Sequence, residues 1–258
     1  MRSHAIESLK SRGILLVSFA AFLLLWEAAA ITYDNSLVLP TASEVFTAIL
    51  ENVSLLSRHS LVTFAEAFSG FVMGSFLAFV LAVWFVHSEK ASKALYPYAI
   101  VLKATPLIAL APLLVFWFGN GFSSKVVMAG LVAFFPVIVN GVKGLKTIDA
   151  EALDLFRSLS ASRLQIFLKL RFPSSLPFLF SALKIAAILA VVGAIIGEFT
   201  GASEGIGFII TNSSYYLDTP LMFAGIVFAG ASGLALFSLV SLLEKRVVFW
   251  EAEGSEAF

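Results

Sequence analysis

Long apolar runs, parted by polar connections, dominate this chain from residue 13 onward. A helix needs about 20 mostly apolar residues to cross the hydrocarbon core of a bilayer. Six stretches have that length: about 13–32, 62–87, 96–118, 126–144, 177–200 and 221–243. The pattern predicts an all-α membrane protein of about six transmembrane helices. Residues 1–12 read as a short polar extension and 13–258 as one membrane domain. Pro106 and Pro112 fall inside the third stretch. They would break a soluble helix, but in a membrane bundle neighbouring helices satisfy the freed carbonyls. An ordinary kink and a bend that shapes a pore both fit.

The polar connections orient the bundle. Of 17 Lys and Arg, 13 fall on one side: Arg2, Lys10, Arg12, Lys90, Lys93, Lys143, Lys146, Arg157, Arg163, Lys169, Arg171, Lys245 and Arg246. The other side holds Arg58 and Lys125, while Lys103 and Lys184 lie within spans. By the positive-inside rule both termini are cytoplasmic, which agrees with an even number of spans. The basic start and apolar run ending near Glu27 could suggest a secretory signal, but the run is long for one, so a retained anchor is expected.

Composition supports lipid as the solvent. Hydrophobic residues make up 59% and charged residues 13%, with a mean hydropathy of +0.95. Soluble domains carry about 25% charged residues. There is no cysteine, which excludes disulfides and thiolate chemistry, and only three histidines, His4, His59 and His87. With no clustered acids beside them, an intramembrane metal or general-base enzyme is hard to build. The formal charge is zero, so nothing points to nucleic acid.

Two connections are long enough to have roles. In the outer one, 33–60, Pro40 stops what precedes, and Thr41 or Ser43 can cap a short amphipathic helix through Leu55. The cytoplasmic one, 145–176, is among the most polar stretches of the chain. From Ile148 it reads IDAEALDLFRSLSASRLQIFLKLRFPSSLPF. Asp149 can cap a first helix. Leu153, Phe156, Leu159 and then Leu164, Phe167 and Leu168 recur at helical spacing, with Ser160-Ala161-Ser162 as a break. Pro173 and Pro177 are expected to end the second helix and return the chain to the bilayer. Two amphipathic helices joined at an elbow suit either a loop lying on headgroups or a surface that docks another protein.

This loop resembles the EAA signature of ATP-binding-cassette importer permeases: E-A-A, three residues, G, nine residues, then I-x-L-P. With Pro173 on the final proline, Phe172 takes the leucine and Leu170 the isoleucine. Ser160 then takes the glycine, and Asp154, Leu155 and Phe156 take the leading E-A-A. Asp154 keeps the carboxylate, whereas Leu155 and Phe156 replace alanines. Glycine adopts positive φ cheaply, so Ser160 leaves open whether the elbow turns left-handed. The run LKATPLIALAPL from Leu102 to Leu113 is similar to the nitrate/sulfonate/taurine branch of these permeases. So are Phe116-Trp117-Phe118-Gly119, Phe134-Phe135-Pro136, Gly197-Glu198-Phe199, Ser203 to Gly207 and Leu39-Pro40.

The resemblance implies a type I importer permease fold in a bacterial cytoplasmic membrane. It implies a second permease copy, two ATP-binding-cassette ATPase subunits and a solute-binding protein that is periplasmic or lipid-anchored. Asp154, Leu155, Phe156, Ser160, Ala161, Ser162, Arg163, Leu170, Phe172 and Pro173 would couple to the ATPase. No cofactor is expected in this chain. It has no G-x-x-x-x-G-K-[ST] loop, so ATP and Mg would be held by the partner ATPase. The cargo implied is a sulfonate, nitrate or taurine-like anion, or a thiamine or riboflavin precursor.

Charges within spans are costly and mark functional candidates. Lys103, Lys184 and Glu198, together with Pro106, are the candidates for the translocation pathway. Lys184, Val191 and Glu198 are spaced by heptads on one helix face. The lysines could equally snorkel or pair with an acid on a neighbouring helix. Glu27 and Glu66 lie toward the outer ends. Gly70, Gly74 and Ser75, and Gly225, Gly230, Ser232 and Gly233, permit close helix approach. An ion-coupled secondary transporter is the rival reading, but such proteins often carry inverted repeats with paired broken helices, and no second copy of the Pro106 segment exists.

Overall fold

The structure, a computed structural model, describes the backbone of residues 2–95 and 106–251 and the side chains of 13–95 and 106–250. The helices are α1 (Arg2–Tyr33), α2 (Ala42–Glu51), α3 (Val53–His87), α4 (89–95), α5 (Leu107–Phe118), α6 (Phe122–Lys146), α7 (Ala150–Ser158), α8 (Arg163–Ile166), α9 (Phe172–Glu198), α10 (Ile206–Tyr215) and α11 (Thr219–Val247). No strand occurs among the described residues. Among the described residues five helices are long and apolar enough to span: Gly13–Tyr33, Val53–His87, Phe122–Lys146, Arg163–Glu198 and Thr219–Val247. The third expected span is described only from Pro106, as the twelve-residue α5. Its first half, with Lys103, lies outside the described residues.

The outer connection folds as a capping box. The Thr41 hydroxyl accepts from Glu44 N–H at 3.1 Å, and the Glu44 carboxylate accepts from Thr41 N–H at 2.8 Å. This helix ends at Glu51, and α3 begins at once, so its 35 residues extend well outward of the apolar stretch. Hydropathy marks the immersed part of a helix, not its length. At 1.5 Å per residue α3 is about 52 Å long, against about 30 Å of hydrocarbon.

The core lies where α3, α6 and α9 meet, and small residues build it. Ala67, Ala78, Ala82, Ala129, Ala133, Ala186, Ala187, Ala190 and Ala194 are buried there. A Cβ on Gly70 would stand 2.5 Å from Ala129 Cβ, and one on Gly74 would overlap the backbone of Gly130. Lipid offers no hydrophobic drive between helices, so such close backbone approach is what holds them. Gly225 packs on Ile210, whereas a Cβ on Gly230 or Gly233 would meet nothing within 4 Å.

From Gly13 onward, helix α1 stands almost wholly exposed beside this block. It is tied near its outer end, where Trp26 Nε1 donates to Pro40 O at 3.0 Å. The Glu27 carboxylate accepts from the Ser43 hydroxyl at 2.7 Å and from Ser43 N–H at 3.1 Å. Hydrogen bonds from the Ser43 hydroxyl and backbone hold the Glu27 contact in place, so this acid is a tie between α1 and α2.

Candidate functional site

The cytoplasmic loop is an elbow with a cap at every turn. Asp149 Oδ1 accepts from Glu151 N–H at 3.0 Å and starts α7. At its end Ser160 N–H donates to Arg157 O at 2.9 Å and Ala161 N–H to Phe156 O at 3.0 Å. This is the Schellman arrangement, which needs a left-handed residue at the turn. Ser160 supplies it with φ 54°. The turn is therefore left-handed although serine stands where the signature has glycine. Ser162 then caps α8 in a second box: Ser162 N–H donates to Gln165 Oε1 at 2.7 Å and its hydroxyl accepts from Gln165 N–H at 3.3 Å. That S-x-x-Q pattern was legible and was overlooked.

Pro173 and Pro177 do not end the second helix. Arg163–Glu198 is one helix of 36 residues, and its turn Phe167–Arg171 is wound as a π-helix. Phe172 N–H bonds to Phe167 O, and the wider turn leaves room for the Pro173 ring against the preceding carbonyls. Pro177 lies inside the helix that follows.

The elbow is anchored on one side and bare on the other. Phe172 packs on Phe79 of α3 with ring centroids 5.9 Å apart, and Phe167 packs on His87 at 5.2 Å. Arg171 Nη1 donates to Leu145 O at 3.1 Å, tying the elbow to the end of α6. Leu155, Leu159 and Leu164 are 58%, 71% and 65% exposed, and Leu168 is exposed with them. Of the proposed coupling residues, Asp154, Leu155, Ser160, Ser162 and Arg163 lie on the exposed side. Phe156, Ala161, Leu170, Phe172 and Pro173 are half-buried, and Phe172 is an anchor. Asp154 pairs with Arg157 at 3.3 Å, an exposed contact worth little. Behind the elbow lies a cavity of about 310 Å³ lined by Val86, His87, Leu153, Arg157, Arg163, Ile166 and Arg171.

Of the pathway candidates, Lys103 lies outside the described residues, and Pro106, Lys184 and Glu198 are not brought together. Pro106 caps α5, Lys184 bridges to Glu244 of α11 at 2.8 Å, and Glu198 lies near the outer face, 1% exposed. Lys184 thus takes the neighbouring-acid alternative. Three further groups join Glu198. Lys125, read from the sequence as an outer-loop cation, sits in the first turn of α6 and is 2% exposed. Its Nζ donates to Asn120 O at 2.7 Å and to Asn120 Oδ1 at 2.9 Å. Glu66 is buried, with its carboxyl against that of Glu198. Thr63 donates its hydroxyl to Glu198 Oε1 at 2.6 Å. Thr63 and Glu66 are three apart on α3, but no sequence spacing links them to Lys125 or Glu198, which come from α6 and α9.

Comparison with known proteins adds ancestry to this geometry. Residues 70–249 match the family model described as binding-protein-dependent transport system inner membrane component. The chain is 32% identical to the formylaminopyrimidine transport permease protein ThiX of Halalkalibacterium halodurans, over 90% of this chain and 93% of that one. It is 28% identical to the putative aliphatic sulfonates transport permease protein SsuC of Bacillus subtilis, over 93% of this chain and 87% of that one. In structure it resembles a chain of the MetNI methionine ABC transporter in inward-facing conformations. The TM-score is 0.64 at 20% identity, covering 76% of this chain and 95% of that one.

Proposed function

Because the chain belongs to the binding-protein-dependent transport system inner membrane component family, we propose that its cytoplasmic elbow is the handle by which a separate ATPase drives the bundle. The protein is a multi-pass permease subunit of an ATP-binding-cassette importer, a transport component rather than an enzyme. What carries the reading of the elbow is its two-sidedness. One face is pinned to α3 and α6 by Phe172, Phe167 and Arg171, and the other presents Leu155, Leu159 and Leu164 to the cytoplasm. An apolar row on the most polar part of a membrane protein suits a partner protein.

The assembly proposed contains two copies of this chain, two ATPase subunits that bind ATP and Mg, and a solute-binding protein on the outer face. The nearly bare flank of α1 supports the second copy, since among the described residues the other four spanning helices each bury more of their surface. The solute is a small organic compound, either a pyrimidine-type vitamin precursor or a sulfonate, with the former favoured by the greater identity to the ThiX relative.

The test is reconstitution of the permease with its neighbouring ATPase and binding protein in vesicles, offered labelled formylaminopyrimidine and an alkanesulfonate in turn. Uptake that requires both ATP and the ATPase is expected. Uptake by the permease alone would overturn the proposal.

A further inference from the structure

Three consecutive backbone N–H groups at the start of α10 are held by side chains from other helices. Gly205 N–H donates to His59 Nδ1 at 3.0 Å, and Ile206 N–H to the Thr63 hydroxyl at 2.7 Å. Gly207 N–H donates to Glu198 Oε2. A helix start leaves such donors orphaned, and a local side chain usually caps them. Here the capping position is Gly205, which has no side chain, and the caps come from α3 and α9. All three capping side chains are buried.

Glycine is required at this joint. Gly205 has φ 103°, and a Cβ there would overlap the Glu198 carboxyl. A Cβ on Gly207 would come within 2.7 Å of Glu198 Oε2. Thr63 both accepts from Ile206 and donates to Glu198, so one hydroxyl links α3, α9 and α10.

Glu198 is also the last residue of the unbroken helix that begins at Arg163 in the elbow. Its 36 residues span about 54 Å, enough to cross the bilayer. The same helix is locked to its neighbours, since a Cβ on Gly193 would stand 2.8 Å from Ala129 Cα of α6. The glycine seam between α3 and α6 completes a rigid block of three helices.

We propose that His59, Thr63 and Glu198 are positioning residues that fasten α10 to the α3–α6–α9 block, so that movement of the elbow carries α10 with it on the opposite face. The inference rests on the importer reading above. It requires that α10 stay attached to α3 throughout the transport cycle.

The chain has no cysteine, and Arg58 of α3 pairs with Glu204 just before α10 at 3.0 Å on the exposed surface. Arg58→Cys with Glu204→Cys therefore places a short bis-maleimide across the joint without touching the three caps. In the assembled transporter, stimulation of ATP hydrolysis by the solute-binding protein is the readout. Cross-linking is expected to leave that stimulation in place. Adding Glu198→Ala lowers it by about tenfold, the cost of one lost buried hydrogen-bonding group, and the cross-link restores it. A role only in folding would not be rescued by a tether.

Loss of stimulation on cross-linking the parent, or full stimulation in Glu198→Ala without the tether, overturns the proposal. Should Glu198→Ala fail to reach the membrane, Thr63→Val is read in its place, with and without the tether, and carries the same expectation. If no ATPase assembles with the parent at all, the importer reading fails instead.

Discussion

Leu155→Ala tests the elbow as a docking surface, with a magnitude set by exposure. Leucine to alanine removes three carbons, worth about 2.4 kcal/mol if they pass completely from water to a packed interface. Leu155 is 58% exposed, so only that share can still be gained on docking. The loss is then about 1.4 kcal/mol, a tenfold weaker grip by the ATPase per permease copy. Titration of the purified permease with its ATPase, read by binding and by ATP hydrolysis, measures it. Leu15→Ala is the control, since Leu15 is as exposed but faces outward from α1 in the spanning segment. Equal affinity for Leu155→Ala and the parent, with Leu159→Ala and Leu164→Ala equally silent, would refute the assignment of this face.

Two further substitutions probe the joints that hold the elbow and the bundle. Ser160→Gly relieves a left-handed serine that costs about 1 kcal/mol, so hydrogen exchange at Ala161 N–H is expected to slow by about fivefold. Gly74→Val drives a side chain into the backbone of Gly130 and costs about 1–3 kcal/mol, lowering the thermal midpoint of the purified protein by several degrees. Gly230→Val meets open space and is expected to leave that midpoint unchanged.

That last contrast shows where sequence reading stops. Gly74 and Gly230 look alike as small residues in apolar helices, yet one is wedged against another backbone and the other faces nothing. The long apolar helices and the elbow were readable because each depends on local pattern: apolar length and helical spacing. The caps at Thr41 and Asp149 were readable for the same reason. The cluster of Thr63, Glu66, Lys125 and Glu198 was not, because its members belong to α3, α6 and α9 and converge only on packing. Lys125 was hard to place for a physical reason too: a cation near a span end looks like a loop residue unless its contacts with the Asn120 carbonyl and side-chain oxygen are known. The prolines misled because a π turn, invisible in composition, lets the helix run through Pro173.

The energetics of the elbow bear on how a motor could use it. A closing ATPase moves the bundle only as far as its handle resists bending. Exposed ion pairs such as Asp154 with Arg157 give little resistance, since solvent screens them. Resistance must come from the packed rings of Phe172 on Phe79 and Phe167 on His87, and from Arg171 on the α6 carbonyl. These contacts fall at the two ends of the π turn and on the residue after it, where the 36-residue helix departs from α-helical winding. They therefore brace that turn, and under the docking proposed above a force applied at Leu155 or Leu164 would pass into α3 and α6 as well as along α9. A handle built this way transmits displacement through a block of three helices, where a single helix would absorb it as a bend.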